Sequence, residues 1–406
     1  MARGTAVAGL LLVAACSVAP GGSTPSARRD GSGREGSGRG SGSLPPASTG
    51  APAGTYTVPE AARECARTTL ARMTPTDRAG QVLMVATPVH SPATALGVVR
   101  AYRLGGVFLH GRSAVPISGL APEVKDLRDR SRSGGVPLHV AVDQEGGKVQ
   151  TLRGTGIGAL ASALEQGTWD TALLERRTKD WTKSLRTVGV TMNFAPVTDT
   201  VPANRKTQNP PIGALGRQYG SDPATVATKV TAVVRGSQAA GVQATLKHFP
   251  GLGRVTVNTD FSDGAVDATA TEDDAYLRPF VAGVAAGAGA VMMSSARYPK
   301  LDAGQPAVFS EPIISMLRTN LGFTGLVVSD DLGVAKAVQD RSAGQRAVDF
   351  IAAGGDMVLT VRRQDAGVLG QALVTRARGS AAFRARLDEA VVHVLLSKHR
   401  AGILPC

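Results

Sequence analysis

The stretch GLVVSDDLG, residues 325–333, is a short apolar run that stops abruptly at Ser329, Asp330 and Asp331. An apolar run of this length, rich in β-branched residues and bounded by glycine, reads as a strand buried on both faces of a parallel sheet. Carboxylates at the end of such a strand lose water, so they are expected to be paired or used. Similar units recur. The run at 138–142 is followed by DQEGGK, and the run at 244–246 by KHFPG. Further runs of the same kind lie at 82–86, 106–109, 191–194, 290–294 and 357–361.

Helical patterns separate these runs. SDPATVATKVTAVVRGSQAAG, residues 221–241, offers Ser221 or Asp222 as a cap, Pro223 in the first turn, and Val226, Val230 and Val233 on one face. SEPIISMLRTNLG repeats the design with Ser310 as cap and Pro312 inside the first turn. Leu174, Trp181, Leu185 and Val188 form one stripe of a helix that ends at Gly189. A last helix from Ser380 turns Phe383, Leu387, Val391 and Val394 inward. Strand runs alternating with helices predict one α/β domain, and eight strands is the number that closes a (β/α)8 TIM-type barrel. An open doubly wound sheet is the alternative. The barrel is favoured because the polar clusters follow the carboxyl ends of strands, which in a barrel share one rim.

The chain has 406 residues, 43% of them apolar and 19% charged, a composition that supports a sizeable core. Its 45 Lys and Arg against 32 Asp and Glu give a formal charge of +13. That balance favours polyanions in general, but no basic block stands out. With aromatics at only 4%, stacking on single-stranded nucleic acid is disfavoured, and nucleic acid is not expected as a partner.

Residues 1–16, MARGTAVAGLLLVAAC, have the outline of an export signal: an early Arg, a short apolar stretch and small residues before Cys16. VAAC resembles a bacterial lipobox. The expectation is lipidation at Cys16 and attachment to the outer face of the cell membrane, with secretion after an ordinary signal peptide as the alternative. Residues 17–54 are Gly, Ser, Pro and Arg with little to bury, and read as a flexible tether. The folded domain is then 55–406. Cys65 and Cys406 stand near its two ends and are expected to form a disulfide in an oxidising compartment. The six His are scattered and there is no CxxC, so no metal site is expected.

Asp143 and Glu145 precede a Gly-Gly turn, Lys247 and His248 close a strand, and Arg217 lies in the Gly-rich loop GALGRQYG. These are the polar groups available to one rim. Of the two aspartates at 330 and 331, one is expected to face the pocket and the other to cap the following helix. GTGIGAL at 154–160 matches a dinucleotide fingerprint poorly, and neither a phosphate-cradling GxxxxGK[ST] nor a GxSxG elbow is present. No cofactor is expected.

Taken together, the set resembles the glycoside hydrolase family 3 barrel, in particular the single-domain bacterial β-N-acetylglucosaminidases. MTPTDRAGQVLMV, GGVFLHGR, AVDQEGGKVQ, NFAPVTD, IGALGRQYG, LKHFPG, PAVFS, LGFTGLVVSDDLG and AAGGDMVL follow one another in that family's order. The resemblance implies a retaining hydrolase of β-linked N-acetylglucosamine in cell-wall fragments, with Asp330 as nucleophile. It also implies that Asp143, Arg217, Lys247 and His248 hold the terminal sugar.

Two single positions and one loop segment depart from the family pattern. Thr151 stands where an Arg is usual, and Ser295 where a His is usual. In the loop after KHFPG, the Asp-Ser-His segment that carries the family's acid/base reads Asn258-Thr259-Asp260. Retaining glycosidases commonly use two carboxyl groups. Asp260 can therefore serve as acid/base, helped by Asn258 or replaced by Asp263. The other reading is a sugar- or muropeptide-binding lipoprotein that has lost turnover. A related β-glycosidase or phosphorylase is a third.

Overall fold

The structure is a computed structural model and describes residues 57–131 and 135–405. The expected signal and tether, Cys16 and Cys406 lie outside the described residues. All eight expected strands form, within one or two residues of their sequence positions. They are β1 (Leu83–Pro88), β2 (Gly106–His110), β3 (His139–Val142), β4 (Met192–Asn193), β5 (Gln243–Phe249), β6 (Ala290–Met293), β7 (Leu326–Ser329) and β8 (Val358–Thr360).

Every pairing between neighbouring strands is parallel, from β1 round to β7, and β8 returns to pair with β1 through Leu83 and Val358. Between β7 and β8 a single bridge, Val328 to Met357, completes a nearly closed eight-stranded barrel. The molecule is thus a (β/α)8 TIM-type barrel. Helices α1 (Glu60–Ala71) and α2 (Pro75–Gln81) precede β1. Then α3 (Leu96–Tyr102) follows β1 and α4 (Ile117–Arg130) follows β2. After β3 come a small hairpin, Gln144–Gly146 with Val149–Gln150, and then α5 (Ala163–Gln166) and α6 (Thr171–Val188). Later strands are followed in turn by α7 (Pro223–Ala239), α8 (Arg278–Ala285), α9 (Glu311–Thr319) and α10 (Ala343–Ala352). The chain closes with α11 (Ala366–Gly379) and α12 (Ala381–Arg400).

The caps explain several helix starts. Asp222 accepts from Thr225 N–H, Ser310 from Ile313 N–H and Ser380 from Phe383 N–H. Gly189 ends α6 in the left-handed region at φ 97°. The expected helix faces are inward: Val226, Val230 and Val233 of α7, and Phe383, Leu387, Val391 and Val394 of α12, are all buried. On α6, Leu174, Leu185 and Val188 are buried, while Trp181 is half-buried.

At the amino ends of the strands, α12 seals the barrel with polar side chains. Ser397 bonds His139 at 3.1 Å and Gln243 at 3.1 Å, and the fully buried Lys398 donates to Gln81 Oε1 at 2.6 Å. The other end of the barrel is left to the loops. Cys65 of α1 is disulfide-bonded, and its Sγ lies 4.0 Å from the carbonyl oxygen of Pro405. Among the described residues no helix is long and apolar enough to cross a membrane.

Candidate active site

Strand β3 delivers Asp143 to the carboxyl rim, and the hairpin after it folds back sharply. Gly146 makes that fold possible. Its φ is +102°, and a Cβ there would stand 2.1 Å from the Ala161 carbonyl oxygen. The turn brings Glu145 inward beside β5. Lys247 at the end of β5 then bonds both acids, Asp143 at 2.7 Å and Glu145 at 2.6 Å. Arg217 reaches in from the loop after β4 and grips Glu145 with two bonds, Nε to Oε2 at 2.9 Å and Nη2 to Oε1 at 2.8 Å. A third Arg217 bond, to Pro211 O at 2.7 Å, fixes the guanidinium.

Opposite charges in this cluster offset the cost of burial. Burial alone would raise the Glu145 carboxyl, but Arg217 and Lys247 outweigh it and hold the group at about 2. Burial would likewise lower Lys247, yet Asp143 and Glu145 keep its ammonium above the ordinary lysine range. The result is a dry, charge-balanced floor whose hydrogen-bonding groups are fixed in direction before a sugar arrives.

His248, the next residue of β5, faces a different partner. Its backbone N–H donates to Asp199 Oδ1 at 3.1 Å, and its ring Nδ1 lies 2.8 Å from Asp199 Oδ2. An ionised carboxylate only accepts, so Nδ1 carries the hydrogen and Nε2 is the nitrogen left for a substrate. Asp199 ends the NFAPVTD segment, is fully buried, and also accepts from Leu252 N–H at 2.8 Å. One side chain therefore sets both the imidazole and the entry of the following loop.

The β7 end separates the two aspartates, but the helix expected to start near Leu332 is absent: 332–334 form a turn, and the next α-helix, α10, is capped by Ser342. Asp331 is committed to backbone, accepting from Gly333 at 2.9 Å, Val334 at 2.8 Å and Val361 at 2.8 Å. Asp330 accepts only from Asp331 N–H, at 2.8 Å, among the contacts described for its carboxylate. Its Oδ1 takes that one backbone bond, whereas Asp331 takes three.

The loop after β5 is held at several points. Asn209 donates to Leu252 O at 2.7 Å and to Val255 O at 2.8 Å. Arg254 pairs with Asp267 at 2.7 Å and with Asp274, and lies 4.3 Å over the Tyr276 ring. At the tip, Asn258 Oδ1 accepts from Asp260 N–H at 2.9 Å. The same tip is then tied to the loop after β7. Lys336 N–H donates to Asp260 O at 3.2 Å, and Ala337 N–H to Thr259 O at 3.1 Å.

This crossing seats the Asp260 turn on the loop that follows Asp330. Although residue 260 is exposed at the surface, burial of its carboxyl and then the Asp330 charge push the carboxyl up to about 6; His248 and Arg217 oppose the rise. A carboxyl raised by the charge of a second carboxyl group is the electrostatic pattern of an acid paired with a nucleophile. Asp143, Arg217, Lys247, His248, Asp330 and Asp260 thus gather on the carboxyl ends of β3, β5 and β7 and the loops beside them.

The departing positions have their own places. Thr151 Oγ1 donates to Asp143 O at 3.0 Å, and Ser295 Oγ is buried without a hydrogen-bond partner. Among the described residues no group of three or more His, Cys, Asp or Glu is arranged to hold a metal ion. Two functional residues escaped the sequence reading. Asp199 gave a signal, as an acid closing a strand-like segment. The bracing by Arg254 gave none, because its partners are 13 and 20 residues away.

Residues 75–396 match the glycosyl hydrolase family 3 N terminal domain. The β-hexosaminidase LpqI of Mycobacterium tuberculosis is 32% identical over 340 residues, covering 81% of this chain and 84% of that protein. A solved β-N-acetylhexosaminidase from Beutenbergia cavernae is 42% identical with a TM-score of 0.79, covering 81% of this chain and 99% of that one. A solved M. tuberculosis LpqI gives 30% identity and a TM-score of 0.71, covering 81% and 95%. With the family's domain matched across most of its barrel, the chain belongs to glycosyl hydrolase family 3.

Proposed function

We propose that the protein is a retaining β-N-acetylhexosaminidase that removes β-linked N-acetylglucosamine from peptidoglycan-derived fragments. Asp330 attacks the anomeric carbon as the glycosidic bond breaks, and Asp260 gives its proton to the leaving oxygen. The same Asp260, now a carboxylate, takes a proton from water, which opens the glycosyl-Asp330 ester. Lys247, Asp143, His248 and Arg217 orient the sugar hydroxyls, Arg217 chiefly by fixing Glu145. The observation that carries this reading is the pinning of the Asp260 turn onto the loop after Asp330 by the Lys336 and Ala337 N–H groups, a placement in which the Asp330 charge raises the Asp260 carboxyl. The names of the relatives support the sugar.

The domain is proposed to work outside the cell, tethered through a lipid on Cys16 and the segment 17–54. A second reading, a sugar-binding protein without turnover, draws on the same loop, where Asn258-Thr259-Asp260 replaces the family's Asp-Ser-His. Assay of residues 55–406 on a chromogenic N-acetyl-β-glucosaminide, beside Asp330→Ala and Asp260→Ala, decides between them. Turnover in the parent that is lost in Asp330→Ala, with kcat lowered in Asp260→Ala because the second step lacks its base, supports the hydrolase. Equal background rates in all three, with sugar still bound, support the binding protein.

A further inference from the structure

Phe261 follows Asp260 directly and is 82% exposed, the highest value for any large apolar side chain among the described residues. The other eight phenylalanines of the chain are all buried at 6% or less. An exposed phenyl ring leaves much of the free energy of burial unrealised, so its position invites a ligand.

A loose loop does not account for the exposure. Phe261 N–H donates to Asn258 O at 3.1 Å and Ser262 N–H to the same oxygen at 3.0 Å. Thr259, two residues earlier, is buried, and the backbone of 259 and 260 is pinned to Ala337 and Lys336. The ring is therefore presented by a fixed turn. Val334, 53% exposed, belongs to the loop after β7 that receives this turn, so the rim has a second apolar side chain there.

Position relative to the chemistry gives the ring its role. An acid that protonates the leaving oxygen stands on the leaving-group side of the scissile bond, and Phe261 follows that acid in the same pinned turn. Sugar rings have an apolar face of C–H groups that suits an aromatic surface, and rigid aromatics give contact area at low cost in side-chain entropy. From this we infer that Phe261 forms the leaving-group subsite and packs against the apolar face of the departing sugar ring. This rests on the placement of Asp260 as acid in the proposed function.

The test compares two substrates on the parent protein, Phe261→Ala and Phe261→Trp. One is the β-linked disaccharide of N-acetylglucosamine; the other is N-acetyl-β-glucosaminyl fluoride, whose leaving group has no ring. Covering about half of a phenyl side chain corresponds to about a tenfold effect. Phe261→Ala should therefore lower kcat/KM about tenfold on the disaccharide and leave the fluoride within about twofold. Phe261→Trp should retain the disaccharide rate. Equal losses on both substrates, or no loss on either, overturn the inference. If the parent turns over neither substrate, the hydrolase reading falls, and the inference falls with it.

Discussion

Replacing Asp260 by Asn keeps the size of the side chain and removes its proton. In the parent, the carboxyl at about 6 must be protonated for the first step, while Asp330 must be ionised. The protonated share falls tenfold for each pH unit above that value, so about one molecule in ten is competent at pH 7. The parent's kcat/KM should thus decline above pH 6 with unit slope. General acid assistance is worth about 10²–10⁴-fold, or roughly 3–5 kcal/mol of barrier. Asp260→Asn should lose that much on a disaccharide, whose leaving group needs the proton. It should lose far less on a nitrophenyl glycoside, whose leaving group departs as an anion. Its basic limb near pH 6 should also vanish. The assay is kcat/KM across pH 4–9 on both substrates. A variant that keeps the basic limb, or loses equally on both leaving groups, would refute Asp260 as the acid and shift attention to Asp263.

Other consequences arise from the same contacts. Holding Glu145 at about 2 instead of 4.5 contributes about 3 kcal/mol to folding. Because its folded value is depressed, that stability is complete above pH 4.5 and is lost as pH falls toward 2; acid titration of denaturant midpoints should show Glu145→Gln lacking it. Asp199→Asn should release the His248 ring and cost about tenfold to a hundredfold in kcat/KM, with the thermal midpoint showing how much is structural. Asp356 is fully buried and accepts from Arg318 at 2.6 Å, Arg386 at 2.8 Å and Val327 N–H at 2.8 Å, with His393 Nδ1 at 2.8 Å. Asp356→Ala should destabilise by about 3–5 kcal/mol in urea unfolding, since it strands two cations. Burial depresses Lys398 to about 7 from 10.5, so the unfolded chain binds more protons between those values. Stability should rise with pH across that window, and Lys398→Met should flatten the rise.

The barrel was legible because the core of a parallel sheet needs nearly continuous apolar strands, and 326–329, 290–294 and 244–248 carry that signal locally. β4 is shorter in the fold, Met192–Asn193 against the expected 191–194, because its ends bond irregularly to Val140 and Val142. The two small hairpins, 144–150 and 297–306, were not foreseen. Their strands are too short to show periodicity, and turn geometry makes them. The structural use of Asp331 was expected as a helix cap, but residues 332–334 form a turn, and its carboxylate instead binds that turn and Val361. Glu145 appeared in the sequence only as a rim acid. Its place at the centre of the floor comes from Arg217, 72 residues away, and Lys247, and no local pattern encodes such a meeting. The same holds for Asp260. Its loop reads as a departure from the family until the bonds from Lys336 and Ala337 seat it on the loop that follows Asp330.

The retaining mechanism requires that Asp330 form a covalent bond to the sugar. Intact mass, followed by peptide mapping, of Asp260→Asn mixed with the nitrophenyl N-acetyl-β-glucosaminide reads that bond itself. With a good leaving group the first step proceeds, while the second lacks its base, so the glycosyl-enzyme should accumulate. The expected result is a mass increase of one N-acetylhexosaminyl residue on the peptide containing Asp330, absent in Asp330→Ala. An unmodified protein that releases nitrophenol with turnover, or an adduct on another residue, would contradict the mechanism.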